Sequence, residues 1–229
     1  MKNFTTAIIV AAGNSTRMGL SVNKTLISIL DKPSIYYSLY EFNKSDLVDE
    51  IILVTRLEDK DEMQNIAKDF EKFKKVVIGG KTRTISVYNG VKNASGKTTH
   101  FAIHDGARAL IKKEYIDKVI NEAFICGAAT LGTKVTDTIK SVDSDKNIET
   151  TIDRTKLFSV QTPQVFEKSL YLRAIKNAID NDLCVTDDCS LIEQINEKVK
   201  IVEGYNDNIK LTTKEDLKRA KMILERGEL

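Results

Sequence analysis

The chain opens on Thr5-Thr6-Ala7-Ile8-Ile9-Val10-Ala11-Ala12-Gly13, and no other stretch restricts the fold as much. Apolar and uninterrupted, it shows no alternation between a core face and water. It therefore predicts a strand buried on both faces, as in a sheet covered by helices. The Ala-Ala-Gly ending matters equally, because missing side chains let a ligand reach the backbone. Asn14, Ser15 and Thr16 follow, residue types that bend a turn and supply donors. Exposed N–H groups in such a turn suit phosphate oxygens, and Arg17 and Lys24 add positive charge. An ordinary strand-to-loop turn with two surface cations would read the same, since short Gly motifs are weak evidence.

Similar runs recur at 50–54, at 76–78 before Gly79-Gly80, and at 100–105, which ends on Asp105. Between them, 35–42, 62–70 and 84–91 carry helical spacing, and Pro33 stands where a helix can begin. Strands alternating with helices of this length imply βαβ units, a mainly parallel sheet and right-handed crossovers. The expected architecture is a Rossmann-like three-layer α/β fold. In open sheets of this kind a ligand sits beyond the carboxyl ends of the strands. Ala12-Gly13, Gly79-Gly80 and Asp105-Gly106 all fall there.

The pattern breaks between 134 and 164, where 135–142 and 148–152 alternate and are joined by Asp143-Ser144-Asp145-Lys146-Asn147. This is a hairpin signature. A lone ribbon buries little and needs something to lie against. The expectation is a single domain over 1–229 with a β-arm at about 134–164, packed on a second copy of the chain as a homodimer; a hairpin folded back on its own domain is the alternative. Helices are predicted at 168–179 and 190–195, a last strand at 198–202, and a capping box at Thr212-Thr213-Lys214-Glu215.

Bulk properties remove several function classes. Net charge is +2 with both signs interspersed, which argues against a nucleic-acid surface. No apolar run approaches the ~20 residues that span a bilayer, and the first run leads straight into Gly13, unlike an export signal. Three cysteines, Cys126, Cys184 and Cys189, form no CxxC pair and fit a reducing, cytoplasmic setting. His100 and His104 share one face of a strand, and one of them reads as a packed or hydrogen-bonded residue rather than a metal ligand. Ser95-Gly96-Lys97-Thr98-Thr99 resembles the tail of a P-loop but precedes a strand where a P-loop follows one, and reads better as a helix C-cap. Asp143-x-Asp145 matches a glycosyltransferase metal motif but falls in a polar hairpin turn. Elbow, zincin and dinucleotide motifs are missing, so acyl transfer, zinc hydrolysis and hydride transfer lose their usual supports.

The remaining motifs gain meaning from their order. Ala-Ala-Gly-x-x-x-Arg-Met with a later Lys, Gly-Gly-x-x-Arg-x-x-Ser-Val, His-Asp-x-Ala-Arg, Asp-Thr-Ile-Lys, Asp-Arg-x-x-Leu-Phe, Gln-Thr-Pro-Gln-x-Phe, Thr-Asp-Asp and Asp-Asn-Ile-Lys-Leu-Thr run from Gly13 to Thr212. Together they resemble the 2-C-methyl-D-erythritol 4-phosphate cytidylyltransferases of the non-mevalonate isoprenoid pathway. Ribitol-5-phosphate cytidylyltransferases are close relatives and supply the alternative reading. The chain departs from the family at Ser15, where Gly is frequent, at Ala109, where Pro is frequent, and at Ile85.

The resemblance implies transfer of CMP from CTP to a polyol phosphate, with release of pyrophosphate and with Mg²⁺ or another divalent cation as cofactor. It implies catalytic roles for Arg17, Lys24 and Lys210, and CTP contacts at Ala11, Ala12, Gly13, Ser15, Gly80, Lys81, Ser86, Asp105 and Ala107. Asp105, Arg108, Thr138, Arg154, Thr162, Thr186 and Asp207 would grip the polyol phosphate, with Arg154 reaching across from the partner subunit and Asp105 also holding the metal.

Overall fold

In a computed structural model of the chain, residues 2–13, 23–183 and 185–227 are described. Along the chain lie β1 (Thr5–Ala11), β2 (Ser28–Ile29), β3 (Lys32–Pro33), α1 (Ser34–Lys44), β4 (Glu50–Thr55), α2 (Lys60–Ala67), β5 (Phe73–Ile78) and α3 (Arg83–Lys92). They are followed by β6 (His100–Asp105), α4 (Lys113–Cys126), β7 (Ala128–Lys134), β8 (Lys140–Val142), β9 (Ile148–Thr151), β10 (Phe158–Glu167), α5 (Lys168–Asp180), α6 (Asp188–Glu193), β11 (Lys200–Glu203) and α7 (Lys214–Glu225).

A 7-stranded sheet runs in the order β11-β7-β10-β6-β1-β4-β5. Only β10 is antiparallel to its neighbours, against both β6 and β7. β1 lies between β4 and β6, parallel to both, and Val10 is level with Val54 on one side and Asp105 on the other. The strand order reverses at β1, which is the switch point where open α/β sheets hold their ligands.

The uninterrupted apolar strands are explained by helices on both faces. Ile9, Leu53 and Ala102 pack toward α1, α2 and α4 through Leu39, Met63 and Ile120. Their chain neighbours Ile8, Ile52 and Ile103 pack toward α3, α5 and α6 through Val87, Ile175 and Leu191. A smaller cluster seats α7 on the β2–β3 turn through Ile29, Ala220 and Ile223. Fully burying each such aliphatic side chain stabilises by about 1.5–3 kcal/mol, so the three-layer core holds the strand ends rigidly. No helix among the described residues is long and apolar enough to cross a membrane.

Three local readings shift. The arm is narrower than 134–164: the ribbon is β8–β9, and β10 from Phe158 onward is a strand of the main sheet. Its Gln161–Gln164 stretch, polar in sequence, is buried there. The capping box of α7 lies one residue later than expected, between Thr213 and Asp216, because the Asp216 carboxylate accepts from the backbone of both Thr212 and Thr213. Helix α3 is capped at Asn93, and Gly96 belongs to the turn closed by Thr98 N–H donating to Ser95 O. Asp143 proves to be a turn builder, accepting from Asp145 N–H and Asn147 N–H.

Candidate active site

The first hollow forms over the end of β1. Asn23 organises its floor. The Asn23 amide donates to Ala11 O at 2.8 Å and to Asp59 Oδ2 at 2.8 Å, while its own oxygen accepts Thr25 N–H and Oγ1–H. Arg56 clamps Asp59 from the far side, Nε to Oδ2 at 2.6 Å and Nη2 to Oδ1 at 2.9 Å. Burial acts to raise the Asp59 pKa, but the hydrogen bonds and charge of Arg56 with the Asn23 amide bring it below its ordinary value. A buried, fully bonded network of this kind fixes a unique backbone. The short helical turn Lys24–Leu26 is thereby tied to the strand end, with Lys24 on the lining of the hollow.

The opposite rim is the loop from Gly79 into α3. Thr82 caps the helix by accepting Ile85 N–H, and Ser86 Oγ accepts Gly80 N–H at 3.0 Å while donating to Thr82 O at 2.8 Å. Close approach explains Gly79: a Cβ there would sit 2.6 Å from Ala12 Cβ and 2.9 Å from Ser86 Oγ. The β1 loop and the α3 loop therefore touch, and the space between Ala12, Gly13, Gly80 and Lys81 is backbone-rich. This first hollow measures about 400 Å³, within the range of small-ligand sites.

A charged wall closes it. Asp105, at the end of β6, accepts from Lys210 Nζ at 2.6 Å and from Arg83 Nε at 3.2 Å. Burial pushes the Asp105 carboxyl upward, but Arg83, Lys210 and Arg108 outweigh it and hold the group far below the usual carboxylate range. Beyond this wall lies a second hollow of about 420 Å³, which shares Arg83, Asp105 and Lys210 with the first and is further lined by Arg108, Thr162 and Thr186.

Within the second hollow, Arg108 donates to Asn208 O at 2.7 Å and Val160 O at 3.2 Å. Two carbonyls thus anchor the guanidinium where Ala109 supplies no proline ring, and Ala109 itself is buried against α7. Burial draws the Arg108 pKa down and nearby Asp105 opposes the shift. Thr162 Oγ1 accepts Asp105 N–H at 3.1 Å and meets His104 Nδ1 at 3.0 Å. Burial pushes the His104 pKa down to about 3. A neutral ring donating from Nε2 to Arg108 O, 3.3 Å away, and accepting at Nδ1 from Thr162 satisfies both ring nitrogens, with Ser38 Oγ a further 3.5 Å neighbour of Nε2.

Most of the expected residues converge. Ala11, Ala12, Gly13, Lys24, Gly80, Lys81, Ser86 and Ala107 line the first hollow, and Asp105 and Lys210 line both. Arg108, Thr162 and Thr186 line the second. Ser15 and Arg17 lie outside the described residues. Thr138, Arg154 and Asp207 line neither hollow of the single chain. Thr138 is exposed beside the arm, Arg154 donates to Thr136 O, and Asp207 pairs with Arg219 at 3.1 Å. No cluster of three metal-ligating side chains occurs among the described residues.

Residues outside the expected set also line the hollows, among them Asn23, Arg83 and Gln164. Arg83 lies inside the Gly-Gly-x-x-Arg motif and Gln164 inside Gln-Thr-Pro-Gln, so both carry a signal in the sequence. Asn23 gave none beyond its place beside Lys24.

Backbone donors and a lysine on one side of a shared charged wall, with an arginine on the other, suit an anionic ligand in each hollow. A nucleotidyltransferase is the class that this fold and site define. The chain belongs to the 2-C-methyl-D-erythritol 4-phosphate cytidylyltransferase family, whose sequence model matches residues 5–226. It is 45% identical over 223 residues to the enzyme of that name from Caldanaerobacter subterraneus subsp. tengcongensis, covering 96% of this chain and 98% of the relative. It is 41% identical to that from Clostridium novyi, covering 96% of each. Among solved structures, 4-diphosphocytidyl-2C-methyl-D-erythritol synthase from Anaerococcus prevotii superposes with a TM-score of 0.88 at 32% identity, over 98% of this chain and 99% of that one.

Proposed function

We infer that the chain transfers CMP from CTP to 2-C-methyl-D-erythritol 4-phosphate, giving 4-diphosphocytidyl-2-C-methyl-D-erythritol and pyrophosphate. The observation that carries the reading is the pair of hollows meeting at Asp105, Arg83 and Lys210. CTP occupies the first hollow, with its triphosphate over the Ala12–Gly13 backbone and Lys24, and its cytidine end toward Gly80, Lys81 and Ser86. The polyol phosphate occupies the second, held by Arg108, Thr162 and Thr186.

A phosphate oxygen of the polyol phosphate attacks the α-phosphorus in line. The new P–O bond forms as the bond to the β-phosphate oxygen breaks, and pyrophosphate leaves with that electron pair. A phosphate dianion needs no general base. His104, buried and neutral, fits a positioning role between Thr162 and Arg108. The remaining demand is to hold and neutralise crowded anions. Arg17, Lys24 and Lys210 are assigned that task, with Lys210 at the α-phosphate.

Asp105 fits a divalent ion of the Mg²⁺ kind: it is an ionised carboxylate on the lining of both hollows. Such ions use one or two carboxylates and take their other ligands from water and phosphates. Bound there, the ion would withdraw charge from the phosphate oxygens.

The arm supports a homodimer reading, since Val142 and Ile148 are exposed on the single chain. Thr138 and Arg154 would then serve the partner's second hollow, and Asp207 would need to leave Arg219 to reach the polyol.

Incubation with CTP, Mg²⁺ and either methylerythritol phosphate or ribitol phosphate, followed by pyrophosphate release, tests the assignment. Release with methylerythritol phosphate is the expected result. Release with ribitol phosphate alone would transfer the enzyme to the sister activity, and release with neither would leave a nucleotide-binding regulator of the same fold.

A further inference from the structure

Asp105 carries two cations in this structure, yet the proposed reaction asks one of them to leave. Lys210 lies 2.6 Å from Asp105 and lines both hollows, so its ammonium must turn from the carboxylate to meet a phosphate. The other cation is Arg83, whose guanidinium spans two carboxylates: Nε to Asp105 at 3.2 Å and Nη1 to Asp188 at 2.6 Å. Asp188 lines neither hollow and its side chain is only 1% exposed.

Every partner of Asp188 is fixed. Tyr171, itself fully buried, donates its hydroxyl to Asp188 Oδ1 at 2.6 Å. The Asp188 and Cys189 N–H groups donate to Gln164 Oε1, and the Gln164 amide donates to Asp187 Oδ2 at 2.8 Å. Gln164 belongs to β10, the strand beside β6. The start of α6 is therefore bolted to the sheet, and Asp188 holds the far end of Arg83 at a set place. Lysine would not reproduce this bridge, because its three donors radiate from a single nitrogen whereas Arg83 reaches the two carboxylates from Nε and Nη1 of one rigid plane.

We propose that Arg83 and Asp188 form a positioning pair: anchored by Asp188, Arg83 stays on Asp105 as its counter-charge, which frees Lys210 to move onto the phosphates. The proposal rests on the cytidylyl-transfer reading for its substrate. Without Arg83, Lys210 would be the nearest side-chain cation left to a buried carboxylate; its departure would leave that charge to whatever divalent ion Asp105 holds, and with none bound would strand it, a strongly unfavourable state. Without the Asp188 charge, Arg83 would still neutralise Asp105 but would lose its fixed direction.

The two substitutions should therefore differ. Arg83→Gln is expected to weaken CTP binding by about 10-fold in titration calorimetry, because Lys210 is then retained by Asp105 and its one charge-assisted hydrogen bond to the phosphates is lost. Asp188→Asn, close in shape, is expected to leave the CTP dissociation constant within about threefold and to lower kcat by about 10- to 100-fold, the usual penalty for small misplacement. Placed in the Arg83→Gln background, Asp188→Asn should cause little further loss, because the pair acts as one unit. Arg83→Lys should fail to restore kcat. Should Asp188→Asn not fold, Tyr171→Phe and Arg83→Lys carry the test, each expected to lower kcat with CTP affinity preserved. Wild-type CTP binding and turnover are measured alongside. If wild type neither binds CTP nor turns over, the functional reading fails and this pair with it. If wild type works but Asp188→Asn keeps its kcat, or the two losses simply multiply, the pair has only a structural role and the proposal is overturned.

Discussion

Replacing Gly79 by alanine probes the contact that joins the two loops of the first hollow. The added methyl would stand 2.6 Å from Ala12 Cβ and 2.9 Å from Ser86 Oγ, whereas carbon atoms rest at about 3.5–4.0 Å. The gap must open by about 1 Å. Neither neighbour is a flexible chain end. Ala12 Cβ is fixed to the backbone leaving β1, and Ser86 Oγ is bonded to both Gly80 N–H and Thr82 O. The backbones must therefore part. Overpacking of this size destabilises by about 1–3 kcal/mol, which in a domain of this length lowers the melting temperature by about 2–12 °C. The effect on catalysis should be larger, because a displacement of about 1 Å costs about 100-fold in rate. Steady-state kinetics with CTP varied, beside a thermal melt, measure both. The expected result is a fall of about 100-fold in kcat/KM for CTP with a modest loss of stability. Partial recovery is expected on adding Ala12→Gly, which removes the harder contact. A variant that melts earlier yet turns over at the wild-type rate would refute the claim that spacing between these loops sets CTP geometry.

Three other substitutions bear on separate parts of the account. Lys24→Ala should lower kcat by about 100-fold or more with the melting temperature nearly unchanged, since it removes a transition-state charge partner worth about 3 kcal/mol. Mixing Arg154→Ala chains with Lys24→Ala chains should regenerate activity if the arm is shared between subunits; no recovery would confine Arg154 to its own chain. His104 should make stability fall on acidification. Its folded pKa of about 3 lies below the ordinary 6.5, so the unfolded chain takes up a proton first as the pH drops. Stability from this residue is complete above about pH 6.5 and erodes toward pH 3, by up to about 1.4 kcal/mol per unit. Unfolding titrations of His104→Asn should show a shallower dependence over that window, and an unchanged slope would contradict the assignment.

The β6-β1-β4-β5 side of the sheet was plain in the sequence and the β7-β10 side obscure, for physical reasons. β1, β4 and β6 are apolar runs because helices cover both faces, so composition alone exposes them. β7 reads Ala-Ala-Thr-Leu-Gly-Thr-Lys, small residues with weak strand preference, and is a strand only because β10 and β11 flank it. The sequence reading leaves both β7 and the preceding α4 unassigned, although Ile116, Val119, Ile120 and Ala123 keep a helical stripe. The first part of β10 reads as arm in the sequence because Gln161, Thr162 and Gln164 are polar. They are buried as the support of Asn208, Asp105 and α6, each satisfied by long-range hydrogen bonds. The site was legible where short motifs cluster at strand ends, as at Gly13, Gly79–Gly80 and Asp105. It was illegible where a residue works by holding another and belongs to no motif, as Asn23 ties the Lys24–Leu26 turn to the end of β1.

The central claim is that CTP and a polyol phosphate meet across Asp105 and Lys210. A crystal structure with CTP and methylerythritol phosphate bound together measures this directly. The account predicts the α-phosphorus in the first hollow, with an acceptor phosphate oxygen in the second at about 3–3.5 Å and Lys210 turned toward both. Density for CTP away from Lys24 and Gly80, or an acceptor phosphate remote from Arg108, would contradict it.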